Sequence, residues 1–245
     1  MNALDVYGRV ARRLLDEAID RERDALERTA GLAADAVAGG GLIYLTGTGH
    51  AHLMAEEVFY RAGGLAAVYP ILVPPLMLHE GAVRSTRLER RPGLAREVMA
   101  ELEMGPGDLL IVASNSGRNA FPVDAALLGS ERGTPVVALT SVPHGQRVTS
   151  RHPSGRRLID VADVILDTGA PYGDAVVALG EGRPAVAPVS TVLGAFLLNA
   201  VMARCTQLLF ERGVEPDVFA SANLEDGESL SKERMAYWRD RVRLL

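Results

Sequence analysis

The sequence predicts an α/β fold, a three-layer α/β/α sandwich around a five-stranded parallel sheet with a long helix ahead of the first strand. Short apolar segments alternate with segments whose apolar residues recur at helical spacing, and this alternation is typical of a parallel sheet covered by helices on both faces. The 245 residues are 48% hydrophobic, which is enough to bury the core of one domain. The predicted strands are 42–46, 66–73, 109–113, 136–140 and 162–166.

The first element is a helix over residues 3–38. Apolar residues recur there at helical spacing, from Val6 and Val10 to Val37, and charged residues fill the other face. The run Gly39–Gly41 ends the helix, since glycine is a common residue at helix C-termini. We expect this helix to cover its own sheet in part and to pack in part on a second subunit.

Glycine and proline mark most of the remaining boundaries. The other predicted helices are about 50–62, 93–103, 119–132, 190–212 and 229–243. The predicted loops are 76–91, 143–157 and 168–188. Without a repeat or a low-complexity linker, the chain is expected to be one domain over 1–245, with an N-terminal helix (1–41), an α/β core (42–213) and a C-terminal extension (214–245).

Composition and charge narrow the function classes. The net charge of −5 at pH 7 gives no electrostatic support for nucleic-acid binding. Lys232 is the only lysine, so the core has neither a Schiff-base lysine nor a phosphate-loop lysine. Cys205 is the only cysteine, which excludes an intramolecular disulfide and a cysteine metal site. The histidines and carboxylates have no zinc-site spacing, and we expect neither a metal nor a cofactor.

The chain is expected to be soluble and cytoplasmic, with no membrane partner. Its charged first helix is unlike a signal peptide. The apolar stretch from Val192 to Met202 has the length of a core helix rather than of a membrane span.

Two polar loops follow predicted strands and lead into predicted helices. They are Gly47–His50 and Ser114–Asn119. A helix start presents unpaired N–H groups and a positive dipole end, and glycines and small hydroxyl residues let an anion approach the backbone. One such loop alone would favour a polar turn that caps a helix, whereas two at the carboxyl edge of one sheet favour a small phosphorylated ligand. The candidate ligand-binding residues are Thr48, Gly49, Ser114, Asn115, Ser116, Gly117 and Asn119.

The second loop, Ser114–Gly117, reads Ser-x-Ser-Gly and resembles the phosphosugar-binding loop of the SIS (sugar isomerase) domain family. The likeness extends to the Gly-x-Gly turn of the first loop, to Val136–Ser141 and to the apolar helix from Ser190 to Cys205. It implies a single SIS domain with a flavodoxin-like sheet and short extensions at both ends. The segments 78–82, 150–155 and 221–223 resemble the branch of sugar isomerase domain-containing proteins.

A dinucleotide site is the alternative use of the first loop. Gly47–Gly49 supplies two glycines of the Gly-x-Gly-x-x-Gly pattern, and His52 stands at the place of the third. The sequence therefore favours the phosphosugar over a nucleotide cofactor.

The resemblance also implies two catalytic carboxylates. SIS isomerases and the related N-acetylmuramic acid 6-phosphate etherases have a catalytic glutamate where this chain has Glu56 and Glu57, and Glu57 is the better match by position. Glu80 lies in a segment that is similar to the one holding the etherases' second acidic catalyst, and His79 beside it is a candidate for assisting ring opening. A solvated surface carboxylate is the ordinary alternative for each glutamate.

Four further residues stay open between a structural and a ligand role. His152 lies in the 150–155 loop and is a second candidate for ring opening, from its own or a partner subunit. Asp174 and Asn223 are in positions that suit a cap or a turn as well as a ligand contact. Asn199 interrupts an apolar helix, where a hydrogen-bonded core asparagine is the default interpretation.

Two carboxylates around a sugar suit removal of a proton next to a carbonyl followed by loss of an oxygen group. The leading hypothesis is a lyase that dehydrates N-acetylglucosamine 6-phosphate, with Glu80 as the base and Glu57 as the acid. The alternatives are an aldose–ketose phosphate isomerase, related to phosphoheptose isomerase, and a non-catalytic amino-sugar-phosphate sensor. We also expect at least a homodimer with a shared site, because the largely apolar 190–212 helix needs cover on several sides.

Overall fold

Helices and strands alternate along the chain in this computed structural model, which describes residues 2–221, 223 and 227–245. The elements are α1 (Ala3–Ala38), β1 (Ile43–Gly47), α2 (His52–Val58), β2 (Val68–Ile71), α3 (Ala82–Leu88), α4 (Leu94–Val98), β3 (Leu109–Ala113), α5 (Ala120–Glu131), β4 (Val136–Thr140), α6 (Val142–Gly145), β5 (Val164–Asp167), β6 (Ala175–Val177), β7 (Val186–Pro188), α7 (Ser190–Glu211) and α8 (Gly227–Trp238). Short 3-10 turns lie at Gly49–Ala51, Pro74–Leu76, Leu78–Glu80 and Leu158–Asp160.

Five strands form one parallel sheet in the order β2-β1-β3-β4-β5. This confirms the predicted α/β fold and its flavodoxin-like strand order. All residues of β1, β3 and β4 are buried, as expected for strands covered on both faces. The strand order reverses between β1 and β3, and ligands bind beside such a reversal in open α/β sheets.

The strands contribute alternate residues to two cores, one on each face of the sheet. Ile43 and Leu109 pack on the side of α1, α2 and α7. Tyr44 and Leu110 pack on the side of α4, α5 and α8, where Phe121 is fully buried. The two helix layers with the sheet between them make up the predicted three-layer sandwich.

The helix α7 is long and apolar enough, by length and composition alone, to cross a membrane, and among the described residues it is the one helix that passes this test. At 22 residues, α7 is longer than the apolar stretch from Val192 to Met202, whose length is that of a core helix. In this fold α7 packs against α1 and α2, and Leu197, Val201 and Cys205 are fully buried. Burial raises the pKa of the Cys205 thiol to about 12, which makes this thiol unreactive.

Several elements differ from their predicted form. The helix predicted over 93–103 ends at Val98, and most of α6 lies in the predicted loop 143–157. The helix predicted over 50–62 ends at Val58, and the ring of Tyr60 (φ 39°) packs edge-on against Phe219 with a centroid distance of 5.1 Å. The helix α3 occupies part of the predicted loop 76–91. The sequence does not predict this helix, because its buried side is confined to Ser85 and its apolar residues show no helical periodicity. The predicted loop 168–188 contains the antiparallel hairpin of β6 and β7.

Candidate functional site

Both polar loops lie at the carboxyl edge of the sheet. Gly47 at the end of β1 is paired with Ala113 at the end of β3, so the two loops start side by side. Gly47 has no room for a side chain, since a Cβ there would lie 2.5 Å from the Ala51 carbonyl oxygen. Gly117 has φ 59°, in the left-handed region that favours glycine, and an added Cβ would lie 3.1 Å from Leu158 Cβ. The glycines thus allow two tight turns at one edge.

The second loop is fixed by hydrogen bonds within itself and to β4. The Gly117 N–H donates to Ser114 Oγ over 3.2 Å, and Thr140 Oγ1 donates to the Ser114 carbonyl over 2.7 Å. The amide oxygen of Asn115 is buried and has no hydrogen-bond partner among the described residues. Because an unpaired buried acceptor is unfavourable, a donor from a ligand would be favourable at this position.

The two loops open into one cleft of about 600 Å³, a size that suits a small ligand. Five of the predicted ligand-binding residues line it: Thr48, Ser114, Asn115, Ser116 and Asn119. Gly49 and Gly117 shape the turns and are not part of the lining. The hairpin β6–β7 and the first turn of α7 form the opposite wall.

A glutamate that the sequence analysis did not single out joins the two loops. Glu89 lines the cleft, and its carboxylate accepts hydrogen bonds from Thr48 Oγ1 and from Asn119 Nδ2, each over 2.8 Å. Burial raises the pKa of the Glu89 carboxyl above 4.5, whereas the Thr48 hydrogen bond and the nearby Arg90 and Arg151 oppose this change. The sequence signal is weak, a single acidic residue in an arginine-rich run.

Glu57, the first predicted catalytic carboxylate, does not line this cleft. It lies on α2 one turn beyond Met54, which does line the cleft. Its Oε1 accepts a hydrogen bond from Asn199 Nδ2 over 2.8 Å, and its carboxylate also pairs with Arg61. Glu57 therefore belongs to a separate polar cluster between α2 and α7.

Glu80 and His79 lie beside the first loop, outside the cleft lining. Both side chains are largely exposed, and His79 Nε2 is 3.8 Å from Glu80 Oε1. Their turn packs next to the first loop, since Leu78 Cδ2 would lie 3.7 Å from a Cβ placed on Gly49. These two residues are therefore near the cleft, but neither side chain lines it.

Two of the four open residues have clear structural partners. The side chain of His152 is largely buried, with its Nε2 at 3.0 Å from Asp124 Oδ1. Asp174 accepts hydrogen bonds from the Val189 N–H, the Ser190 N–H and the Ser190 hydroxyl, which caps the start of α7. Asp174 also lines the cleft.

The other two lie at the surface. Asn199 is exposed and bonded to Glu57, so the default interpretation of a core asparagine is wrong. Asn223 is exposed, and its backbone N–H donates to Ser221 Oγ over 3.3 Å. Ala222, within the same predicted segment, lies outside the described residues.

The histidines near the cleft differ in their surroundings. Burial lowers the pKa of His52 to about 4, and its Nε2 accepts the Val73 N–H, so the ring is neutral and structural. His144 lines the cleft, and burial also lowers its pKa. In the ranges 2–221, 223 and 227–245, histidine, cysteine and carboxylate side chains form no group of three or more that could hold a metal ion.

Relatives of known sequence cover nearly the whole chain. The UPF0309 protein GK1441 of Geobacillus kaustophilus is 42% identical over 231 residues, which cover 94% of this chain and 92% of that protein. The UPF0309 protein lin2794 of Listeria innocua is 42% identical over 233 residues, which cover 95% and 94%.

Solved structures and a domain family agree with the fold. Phosphoheptose isomerase GmhA from Neisseria gonorrhoeae has a TM-score of 0.55 at 19% identity, with 83% of this chain and 97% of that chain covered. A phosphoheptose isomerase from Francisella tularensis has a TM-score of 0.54 at 16% identity, with 84% and 100% covered. The SIS domain family matches residues 6–141, more than half of the chain. With its strand order and its two paired loops, this chain belongs to the SIS domain family.

Proposed function

We propose that the cleft binds a sugar phosphate and that the protein is a cytoplasmic carbon–oxygen lyase that dehydrates N-acetylglucosamine 6-phosphate. The main support is that the two loops meet across Glu89 in one cleft. The Ser114–Asn119 loop precedes the 12-residue helix α5, whose start suits a phosphate. The unpaired amide oxygen of Asn115 offers an acceptor to a sugar hydroxyl.

In the proposed reaction a base removes the C2 proton of the open-chain sugar, next to the C1 aldehyde. The electron pair left on C2 forms the C2–C3 double bond and expels the C3 oxygen, which takes a proton and leaves as water. Glu80 is the proposed base, Glu57 the proposed acid, and His79 the proposed aid to ring opening. Glu80 and His79 lie on a turn that packs beside the first loop, and the proposed roles require this turn to move toward the bound sugar.

We further propose that Glu57 acts in the cleft of a second subunit, which makes the functional unit at least a homodimer. Exposed apolar side chains flank the polar cluster of Glu57: Leu53 is 43%, Val192 40% and Phe196 37% exposed. An apolar surface on α2 and α7 suits a self-complementary contact between two copies. Such a contact would bring Glu57 toward the partner's cleft.

Proton NMR in deuterated water tests the reaction. Wild-type protein is expected to exchange H2 of N-acetylglucosamine 6-phosphate and to produce a vinyl signal. Glu80→Gln should abolish both, whereas Glu57→Gln should lose the vinyl signal and keep the exchange. Glu56→Gln, on the adjacent exposed residue, is the matched control and should behave as wild type. No exchange and no vinyl signal with wild-type protein would refute the proposal.

Mixing of inactive variants tests the shared site. Glu57→Gln and Ser116→Ala should each be inactive alone. Equal amounts refolded together should recover about a quarter of wild-type activity, because half of the dimers are mixed and each of these has one intact site of two. If both residues serve the cleft of their own chain, each cleft of a mixed dimer carries one defect, and no activity should be recovered. The double variant mixed with wild type is the reciprocal test, since its mixed dimers should have no intact site if the site is shared and one intact site if it is not.

An aldose–ketose phosphate isomerase is the second candidate. It is favoured by the position of Glu57 outside its own cleft, since isomerisation needs a base at C2 and no acid at a C3 leaving group. With an aldose phosphate that carries a hydroxyl at C2, a ketose phosphate signal without a vinyl signal in the same type of NMR experiment would select it. Tight binding without turnover would instead select a sensor.

A further inference from the structure

Three arginines cluster beside the second loop. Arg118 directly follows this loop, and its carbonyl accepts the Arg151 N–H over 2.8 Å. Arg151 Nη1 donates to Asn119 Oδ1 over 3.1 Å, next to the cleft. Arg90 follows Glu89, and partial burial together with Arg118 and Arg90 lowers the pKa of Arg151. We call Arg90, Arg118 and Arg151 the arginine rim.

The positive charge of the arginine rim is not balanced by ion pairs. Within the part of the chain that the structure describes, none of the three arginines forms a salt bridge. The Arg118 guanidinium donates to the carbonyl and hydroxyl of Thr149, and Arg151 donates to the Asn119 amide, all neutral acceptors. The three arginines and the Glu89 carboxylate together carry a net charge of about +2, which would balance the charge of roughly −2 on a phosphate monoester at pH 7.

The rim is anchored in the fold rather than carried on a free loop. His152 follows Arg151, and its side chain packs against Asp124 of α5, with 3.0 Å between Nε2 and Oδ1. Its Nδ1 lies 2.7 Å from Ser154 Oγ, and its backbone N–H donates to Ser150 Oγ over 2.9 Å. These bonds fix the backbone from which Arg151 reaches the edge of the cleft.

We propose that the arginine rim binds the phosphate group of the ligand, together with the hydroxyl and amide groups of the second loop beside it, and so selects phosphorylated over neutral sugars. This inference rests on the proposed function and adds residues that the resemblance does not imply. Arginine presents paired N–H donors that fit two oxygens of one phosphate. A cationic rim also offsets, at the cleft, the repulsion of an anionic ligand by a chain of net charge −5.

Calorimetric titration of the full-length protein with N-acetylglucosamine 6-phosphate, with N-acetylglucosamine and with inorganic phosphate tests the rim. Arg151→Gln and Arg118→Gln should each weaken binding of the sugar phosphate and of inorganic phosphate by about tenfold or more. Arg151→Lys keeps the charge without the paired donors and should show a smaller loss. Arg243→Gln removes the same charge near Glu101, away from the cleft, and should retain wild-type affinity.

The outcomes separate the two proposals. Wild-type affinity in both glutamine variants would overturn the rim and leave the sugar-phosphate site standing. An equal loss in Arg243→Gln would also overturn it, because net charge alone would then explain the effect. If wild-type protein binds none of the three compounds, the proposed function itself fails. If Arg151→Gln does not fold, the Arg118→Gln and Arg151→Lys titrations decide by the same criteria.

Discussion

Asp174 caps α7 across the turn that precedes the hairpin, and its replacement should destabilise the fold by a predictable amount. Its Oδ1 accepts the Val189 N–H over 3.0 Å and the Ser190 N–H over 2.7 Å, and its Oδ2 accepts the Ser190 hydroxyl over 2.6 Å. Loss of a helix cap costs about 1–2 kcal/mol, and the hydroxyl bond adds about 1 kcal/mol. Asp174 has φ 69°, which glycine adopts without strain, so Asp174→Gly isolates the cap and should lose about 2–3 kcal/mol.

Thermal and urea unfolding followed by circular dichroism provide the assay. For a domain of this size, about 2–3 kcal/mol corresponds to a fall in Tm of roughly 5–10 °C. Asp174→Asn tolerates the left-handed backbone and keeps an amide oxygen, so about 1 kcal/mol should be lost. A glycine variant as stable as wild type would refute the capping role. If that variant also fails to bind the sugar phosphate, Asp174 would instead be a ligand-binding residue.

Three further predictions concern the loops and the assembly. Asp124→Ala removes the partner of His152 Nε2 and the acceptor of the Gly93 N–H, and should lose about 2–3 kcal/mol of unfolding free energy, with faster hydrogen exchange at the Arg151 amide. Glu89→Gln should gain stability relative to wild type as the pH rises above 4.5. Because the pKa of Glu89 is raised, the folded wild-type protein binds this proton more tightly than the unfolded chain does. Wild type therefore loses stability as Glu89 ionises. Urea titrations from about pH 4 to about pH 8 would measure this loss. Phe196→Glu should sediment as a 26.1 kDa monomer, because it places a charge on the exposed apolar face of α2 and α7.

Each of these predictions has a contradicting result. Unchanged exchange at the Arg151 amide in Asp124→Ala would show that His152 does not hold the rim. Parallel pH profiles for Glu89→Gln and wild type would show that Glu89 titrates at the same pH in both states. A wild-type assembly of Phe196→Glu would place the subunit contact elsewhere.

The sheet was predictable from the sequence because its signals are local. Buried strands such as Leu109–Ala113 are continuous apolar runs bounded by turn residues, and the loops that follow them carry a recognisable Ser-Gly pattern. The long first helix was predictable for the same reason, since its apolar periodicity continues until the glycines that end it.

The parts that were not predictable depend on contacts between distant residues. Glu89 became part of the cleft through Thr48 and Asn119, which are 41 and 30 residues away, and nothing in its neighbouring sequence distinguishes it from a solvated charge. The hairpin β6–β7 consists of two three-residue strands in a glycine-rich segment, too short for a periodic signal. Glu57 lies on its predicted helix, but the sequence does not show that Asn199 and Arg61 occupy its carboxylate.

A crystal structure with N-acetylglucosamine 6-phosphate bound tests the central claim most directly. We predict the phosphate within hydrogen-bond distance of Ser116 and Asn119, the sugar in the cleft beside Glu89, and one glutamate carboxylate over C2. A sugar phosphate bound away from the two loops, or an empty cleft at a saturating concentration, would contradict the account.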